Sequence, residues 1–395
     1  MIKSIMPPRN QFAQIARLAA EEVFSYYEEK DMDFGSQGFF EKNYTEAFVQ
    51  ILNPVDVGYA DAVCSGTAAI FVAIKALQLS AGSEVLISSI TDPGMVNPII
   101  LSGLVPRLVD NAKNCPYPSL NSIIERMNSN VSAIVLNHLA GIPISDIEAI
   151  CEWAKKQNVK VIEDCSQAHM SSINNRSVGT FGDIACFSTM FSKTHSSGGR
   201  GGIVYTKSLE LYQLMRMHAD KGKPFHLENF NEKDPRTFLI PALNLNIDEI
   251  SCAIGLRTLK KLPEVISKRL SFLKLLDTLM KEKKLITKLH PVINGASPFF
   301  WIFHFESKDF SVTKSVFAEA LKEAGLPLNT HYPYIVSEWP WVKTYLADDF
   351  VPENAISFRD NSFNLLFNEN FGEKEALFIV DTLCLIEQKL QKSNQ

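Results

Sequence analysis

Residues 187–202 read FSTMFSKTHSSGGRGG, and what this stretch does decides the fold. It continues the run DIACFSTM, whose short apolar core predicts a buried strand ending at Phe187-Ser188. Lys193 stands five residues beyond Ser188, with a histidine, two serines and a cluster of glycines behind it. Two readings are open. Lys193 is a solvated lysine in a flexible loop, or it is a lysine placed to react. A lysine that attacks a carbonyl must be partly desolvated or near positive charge, so that neutral amine exists near neutral pH. A pocket at the carboxyl edge of a sheet can supply that.

Working outward, short apolar runs alternate with amphipathic helical patterns. YADAVCSGTAAIFVAIKAL predicts a short strand, a turn and a helix. EVLISS, PRLVD, SAIVLN, KVIED and GGIVYTK predict strands, with helices near residues 95–103 and 119–127 and over SDIEAICEWAKKQN, where Ser145 reads as the N-cap. Residues 11–30 and 41–53 read as helices, separated by the glycine-punctuated loop MDFGSQGFF. Such alternation argues for a mostly parallel sheet with helices on both faces. Sites in such sheets form beyond the carboxyl ends of the strands. Residues 247–285 read as a long helical region with a break near Leu262-Pro263, which is the expected domain boundary. Beyond it SPFFWIFHFES, with the aromatic run Phe299 to Phe303, reads as a buried strand. SVTKSVFAEALKEAG and EKEALFIVDTLCLIEQKL read as helices, and the tail KSNQ as frayed. No internal repeat or low-complexity segment stands out.

The bulk numbers narrow the class. The chain has 395 residues, 46% of them hydrophobic and 21% charged, enough for a large core in two domains or one with an appendage. A formal net charge of −5 argues against a nucleic-acid binder. No uncharged apolar run reaches about 18 residues, so no membrane span is expected. The first thirty residues lack a long apolar core and read as an ordinary helix rather than a signal peptide. Seven cysteines, with no CxxC pair, read as small core residues in a reducing compartment, the cytoplasm. No His/Cys cluster has structural-zinc spacing, so no metal is expected.

Three segments carry chemistry. Ser65-Gly66-Thr67-Ala68-Ala69 joins a strand to a helix, the arrangement by which free N–H groups and a helix N-terminus hold a phosphate. VIEDCSQAHM ends a strand on adjacent acids, Glu163 and Asp164, whose side chains alternation sends to opposite faces. A buried carboxylate needs a partner, and a protonated pyridine nitrogen would provide one. Gln167 can hydrogen-bond the same ring, and His169 reads as structural. In the third segment Ser188 can offer a hydroxyl to the phosphate, and Lys193 can loop back over the pocket. Phosphate grip, carboxylate and lysine, in that order, are the parts a pyridoxal phosphate enzyme requires.

These residues resemble the DegT/StrS-type sugar aminotransferases, fold-type I pyridoxal phosphate enzymes. The resemblance runs from about Gly35 to Leu366 on SGTAA, NHLAGIP, EDCSQAH, GTFGD, FSTMFSK followed by GGRGG, and LNLNIDEISCAIGLRTLKKL. It implies an α/β fold. A large cofactor-binding domain, residues 1–262 with the N-terminal helix, would hold a mostly parallel, mixed seven-stranded sheet flanked by helices. A smaller α+β domain, residues 263–395, would follow. The resemblance further implies that Lys193 is the Schiff-base lysine and moves the proton in transamination. Asp164 pairs with the pyridinium nitrogen, Gln167 contacts the ring's phenolic oxygen, and Gly66, Thr67 and Ser188 hold the phosphate. Asn244 reaches the phosphate in the neighbouring subunit, which implies a homodimer with shared sites. The reaction expected is transfer of an amino group from an amino acid, glutamate above all, to a keto-sugar, nucleotide-linked.

Three positions depart from the family pattern. Asp92 stands where an aromatic ring usually stacks on the cofactor, so a carboxylate faces the ring or the substrate. Arg200 replaces the acid of the glycine loop, and Asn246 a frequent arginine. A related branch replaces the lysine with histidine and removes a sugar hydroxyl. Here Lys193 keeps the lysine register, with His195 two residues on, so transamination is favoured over dehydration or epimerisation. A sensor or scaffold that kept the fold without turnover is the remaining alternative, and Asp92 is its support. His138, His218 and His331 read as structural or substrate-adjacent, and Tyr332 as a residue of the substrate mouth.

Overall fold

The computed structural model describes residues 5–7 and 9–391. The tail Lys392–Gln395 that reads as frayed lies outside them, as do Met1–Ser4 of the stretch that reads as an ordinary helix. Helices α1 (Asn10–Glu29) and α2 (Phe39–Leu52) precede strand β1 (Tyr59–Val63). Then α3 (Gly66–Ala76), β2 (Glu84–Ser88), α4 (Pro93–Leu101), β3 (Val105–Val109), α5 (Leu120–Arg126), β4 (Val131–Asn137), α6 (Ile147–Lys156) and β5 (Lys160–Asp164) alternate. A two-residue hairpin, β6 (Ser172–Ile173) and β7 (Arg176–Ser177), precedes β8 (Ile184–Ser188), β9 (Gly202–Thr206), α7 (Leu209–Ala219) and α8 (Glu249–Leu259).

The large sheet has seven strands in the order β1-β9-β8-β5-β4-β2-β3. Only β9 runs antiparallel to its neighbours, and the other pairings are parallel. Strand alternation sorts the core by face. Ile87, Val135, Ile162 and Cys186 pack under α3, α4 and α7. Leu86, Ile134, Leu136 and Val161 pack on the other face against α6, and Ala185 and Phe187 on that face against α2 and α8. The carboxyl ends of β1, β2, β5 and β8 therefore open along one edge, where the next residues turn into helices or loops.

Local chemistry starts those helices. Ser65 Oγ accepts the Ala68 N–H at 3.0 Å and caps α3, and Asp92 Oδ1 accepts the Gly94 N–H at 2.6 Å ahead of Pro93 to cap α4. The expected cap of α6 is a correction: Asp146, not Ser145, holds the N-cap position. Asp146 Oδ2 is committed to the Leu120 N–H at the start of α5, and Ser145 Oγ donates to Asp146 Oδ1, so neither side chain closes α6.

After α8 the chain continues through α9 (Leu262–Glu282), β10 (Lys288–Leu289), β11 (Trp301–His304), α10 (Lys314–Glu323), β12 (Leu328–Asn329), α11 (Glu353–Asp360), β13 (Ser362–Leu365) and α12 (Glu373–Leu390). A four-stranded antiparallel sheet, β10-β11-β13-β12, covers a core that includes Trp301, Phe303, Phe305, Phe310, Phe317 and Phe363. All of its strands follow residue 262, and we propose the break at Leu262-Pro263 as the domain boundary. Ile5 packs against this second core, and Asn368 donates to the Pro7 carbonyl at 2.7 Å, so the start of the chain reaches across. The aromatic run is also corrected. Phe299 and Phe300 precede β11, because the Phe299 N–H is taken by the Ala140 carbonyl at 3.0 Å, which turns Phe299 toward the large sheet. Among the described residues no helix is long and apolar enough to cross a membrane.

Candidate active site

Gly66, Thr67, Asp92, Asp164, Ser188 and Lys193 line one cavity of about 300 Å³ at the carboxyl edge of the large sheet. Ser166, Met190, Phe191, Arg200 and Gly201 complete much of its wall. At one end stands the N-terminus of α3, whose first N–H groups have no helical acceptors. Glycine is required there by contact. A Cβ on Gly66 would lie 2.7 Å from Ser188 Cβ, and one on Gly202 would run into the Ser65 carbonyl. The helix start, Ser188 and the head of β9 are thus pressed into one cradle, which we propose as the phosphate site. Gly66→Ala should cost about 1–3 kcal/mol of overpacking at that cradle. Titration with pyridoxal phosphate should show weakened affinity, and an unchanged affinity would remove Gly66 from the cradle.

Adjacent Asp164 and Glu163 do point to opposite faces, with opposite fates. Asp164 accepts from Ser166, at 3.0 Å from its N–H, and no cation hydrogen-bonds it among the described residues. Burial pushes its carboxyl up from the usual range, with Asp92 adding to the rise. Glu163 lies behind the sheet edge, fully buried, and accepts N–H groups from Gly179 (2.7 Å), Phe181 (2.8 Å) and Gly182 (2.7 Å). His138 Nδ1 accepts the Ile144 N–H at 3.1 Å, which leaves Nε2–H to donate to Glu163 at 3.1 Å. Burial alone would raise the Glu163 carboxyl; these donors outweigh it and hold it below its ordinary value. Among the described residues, His138, Glu163 and Cys165 also bring metal-ligand atoms together, but the His and Glu acceptor atoms are spent on N–H groups.

Lys193 is 7% exposed. Its Nζ sits 4.4 Å from the centroid of the Phe299 ring. Burial lowers its amine from the ordinary lysine value, and the carboxylates of Asp164 and Asp92 pull the other way. The loop lysine is therefore the desolvated one. His195 does not line the cavity: Nε2 meets Tyr44 Oη at 2.6 Å, Nδ1 meets Thr258 Oγ1 at 3.2 Å, and burial lowers it to about 3. His195→Ala should cost about 2–4 kcal/mol through a cavity and an orphaned hydroxyl, while activity per folded molecule stays. Urea unfolding and active-site titration together check this; loss of activity at full folding would put His195 in the chemistry. His169 is likewise buried, beside Phe187, with Nδ1 3.3 Å from Thr194 Oγ1.

Gln167 and Asn244 do not line the cavity. Gln167 stands beside it, its Oε1 fixed by the Ala140 N–H at 2.7 Å and its amide hydrogen-bonded with Tyr332. Tyr332 is delivered from the second sheet's side by a segment stitched to the exit of β2, where the Thr91 N–H donates to the Tyr334 carbonyl and the Val336 N–H to the Ser89 carbonyl. Asn244 is exposed, on the long loop before α8. Of the departures, Asp92 is the α4 cap at the cavity wall, Arg200 is an exposed cation at its rim, and Asn246 Oδ1 accepts from Gln37 at 3.4 Å. Phe299 and Arg9 were not legible as site residues. Phe299 sits within an apolar run, and Arg9, whose Nη1 donates to the Lys193 carbonyl at 3.3 Å, has no motif around it.

A helix N-terminus beside Ser188, a buried carboxylate and a desolvated lysine around one cavity fit pyridoxal phosphate. The cavity matches the small end of ligand pockets, roughly 300–1,000 Å³.

The chain belongs to the DegT/DnrJ/EryC1/StrS aminotransferase family, whose sequence profile matches residues 15–383. That family is pyridoxal phosphate-dependent, and the fold is fold type I. The chain is similar to GDP-perosamine synthase of Escherichia coli O157:H7, 34% identical over 213 residues, covering 54% of this chain and 56% of that protein. In these matches the chain spans about half or less of the length of the curated relatives: 56%, 34% and 45% of the first three. Among solved structures it resembles the aminotransferase from Psychrobacter cryohalolentis, with TM-score 0.87 and 22% identity over 98% of this chain and 99% of that one. It also resembles the E. coli GDP-4-keto-6-deoxy-D-mannose-3-dehydratase solved with hydrated PLP, with TM-score 0.81 and 22% identity over 93% and 96% of the two chains.

Proposed function

We propose that this chain is an aminotransferase that takes nitrogen from an amino acid, glutamate above all, and places it on a keto-sugar linked to a nucleotide, in the cytoplasm. The observation that carries the reading is Lys193 itself: a buried amine in one cavity with Asp164 and the N-terminus of α3. Pyridoxal phosphate, when bound, supplies a carbonyl carbon that bonds amines covalently and a ring that draws off electrons. Gly66, Thr67 and Ser188 would hold its phosphate. Asp164 would pair with the ring nitrogen and keep it protonated. Gln167, with its oxygen fixed by the Ala140 N–H, would turn its amide N–H from Tyr332 to the phenolic oxygen. Lys193 would hold the cofactor and move the proton at the substrate carbon, and its burial favours the neutral amine that this needs. The relatives' sugar substrates support the acceptor class, as does the lysine rather than a histidine at the cavity.

Two copies would pair, with Asn244 reaching the partner's phosphate. Its loop is exposed and carries uncovered Leu227, Leu239 and Leu243, a surface suited to burial against a second chain. The deciding experiment mixes pure protein with a panel of amino donors and keto-sugar nucleotides and follows the cofactor's spectrum. Conversion to the amine form by a donor and back by an acceptor is expected. Water loss from the acceptor would instead make it a dehydratase, and a bound cofactor inert to every donor would make it a sensor or scaffold.

A further inference from the structure

Glu369 bonds two arginines at once. Its Oε1 accepts from Arg9 Nε at 2.8 Å and its Oε2 from Arg269 Nη2 at 3.1 Å. Each arginine then spends a second nitrogen on backbone beside the reactive amine. Arg9 Nη1 donates to the carbonyls of Phe191 (3.0 Å) and Lys193 (3.3 Å). Arg269 Nη1 donates to those of Pro298 (3.2 Å) and Phe299 (2.9 Å). Phe299 closes the circuit, since its ring faces Lys193 Nζ at 4.4 Å. The lysine is thus held from behind by its own carbonyl and in front by a ring, and both grips end on one carboxylate.

We propose that Glu369, with Arg9 and Arg269, is a positioning device that sets where the Lys193 amine stands. The proposal rests on Lys193 being the reacting lysine. The side chain of Arg269 is 1% exposed, and Arg9 and Glu369 are mostly covered at 22% and 15%. Burying such a group carries a large desolvation cost, and apolar packing of similar volume usually serves stability as well or better. What apolar packing cannot do is point fixed donors at chosen carbonyls, which the planar guanidinium does. A reacting group must be held within about 0.5 Å of its working place. Residues 9, 193, 269, 299 and 369 come from distant parts of the chain. The amine therefore reaches its place only when the N-terminal segment, α9 and the chain beyond β13 have assembled.

The test uses the full-length holoenzyme carrying Glu369→Gln, which keeps volume but removes the charge and one acceptor. Three readouts are taken: the pH midpoint of the cofactor's visible spectrum, the split between kcat and KM, and competitive acetic anhydride labelling of Lys193 in the full-length chain freed of cofactor. The expected result is a displaced spectral midpoint, a changed labelling profile and a roughly tenfold fall in kcat with little change in KM. Arg9→Lys, which keeps the ion pair but loses the fork, should fall between. Unchanged midpoint and labelling, even with lower stability, overturns the proposal. If Glu369→Gln does not fold, Phe299→Leu is read in the same way, and an unmoved midpoint there overturns it equally. Borohydride reduction and peptide mapping keep the two ideas apart. A tag on another lysine ends the functional reading, whereas a tag on Lys193 with unmoved titration ends only the positioning one.

Discussion

Lys193→Ala should reduce amino-group transfer by roughly 10³-fold or more while the chain stays folded. The proposed mechanism gives Lys193 two functions, covalent attachment and proton movement, and no second amine could replace them among the cavity-lining side chains, where Arg200 is the other cation. Arginine cannot stand in, because it does not give up its proton. The fold should tolerate the change, since a buried amine that ordinary solvation would favour is removed rather than a packed hydrocarbon. Single-turnover measurements with amino donor check the rate, and added small primary amines should restore part of it. Transfer at the wild-type rate would falsify the assignment of Lys193.

Glu163→Gln should destabilise the fold by about 3–5 kcal/mol. The carboxylate accepts from three backbone N–H groups and the His138 ring within a fully buried site. An amide of the same shape turns one acceptor into a donor and sets N–H against N–H. The damage should reach the site, because Asp164 is the next residue and the β5 ladder fixes both. A lower urea midpoint, together with weaker cofactor binding, is the expected outcome; an unchanged midpoint would show that the donors find other acceptors. The sign with pH follows from the same bonds. Glu163 is held below its ordinary value in the folded chain. Its contribution to stability is complete above the unfolded carboxyl range near 4.5 and is lost as pH falls through the lower folded value. Wild type should therefore lose stability on acidification more steeply than Glu163→Gln.

Much of this was legible in order along the chain. Strand-end signals at Ser65, Asp164 and Ser188 mark three cavity walls, because parallel strands deliver their carboxyl ends to one edge. The alternation of Glu163 and Asp164 likewise follows from strand geometry alone. Where local signals competed, the sequence misled. Ser145 looked like a cap, but Asp146 holds that position and is claimed by α5, a contact across the fold. Phe299 looked like strand, but the Ala140 carbonyl pulls it out of the ladder.

By itself the sequence determined the alternating architecture, the order of the Ser65-Gly66-Thr67 turn, the Asp164 carboxylate and Lys193, and the departures at Asp92, Arg200 and Asn246. These are properties of short segments, written in periodicity and in the residue types that end strands and begin helices. Only the tertiary structure decided that Lys193 is the desolvated amine and His195 a structural one, two residues apart in the same loop. It alone gave Glu163 its donors and Lys193 the ring of Phe299 and the hold of Arg9. Burial and hydrogen-bond partners are sums over neighbours that come from far along the chain, and no local pattern records which of two nearby polar groups those neighbours will enclose.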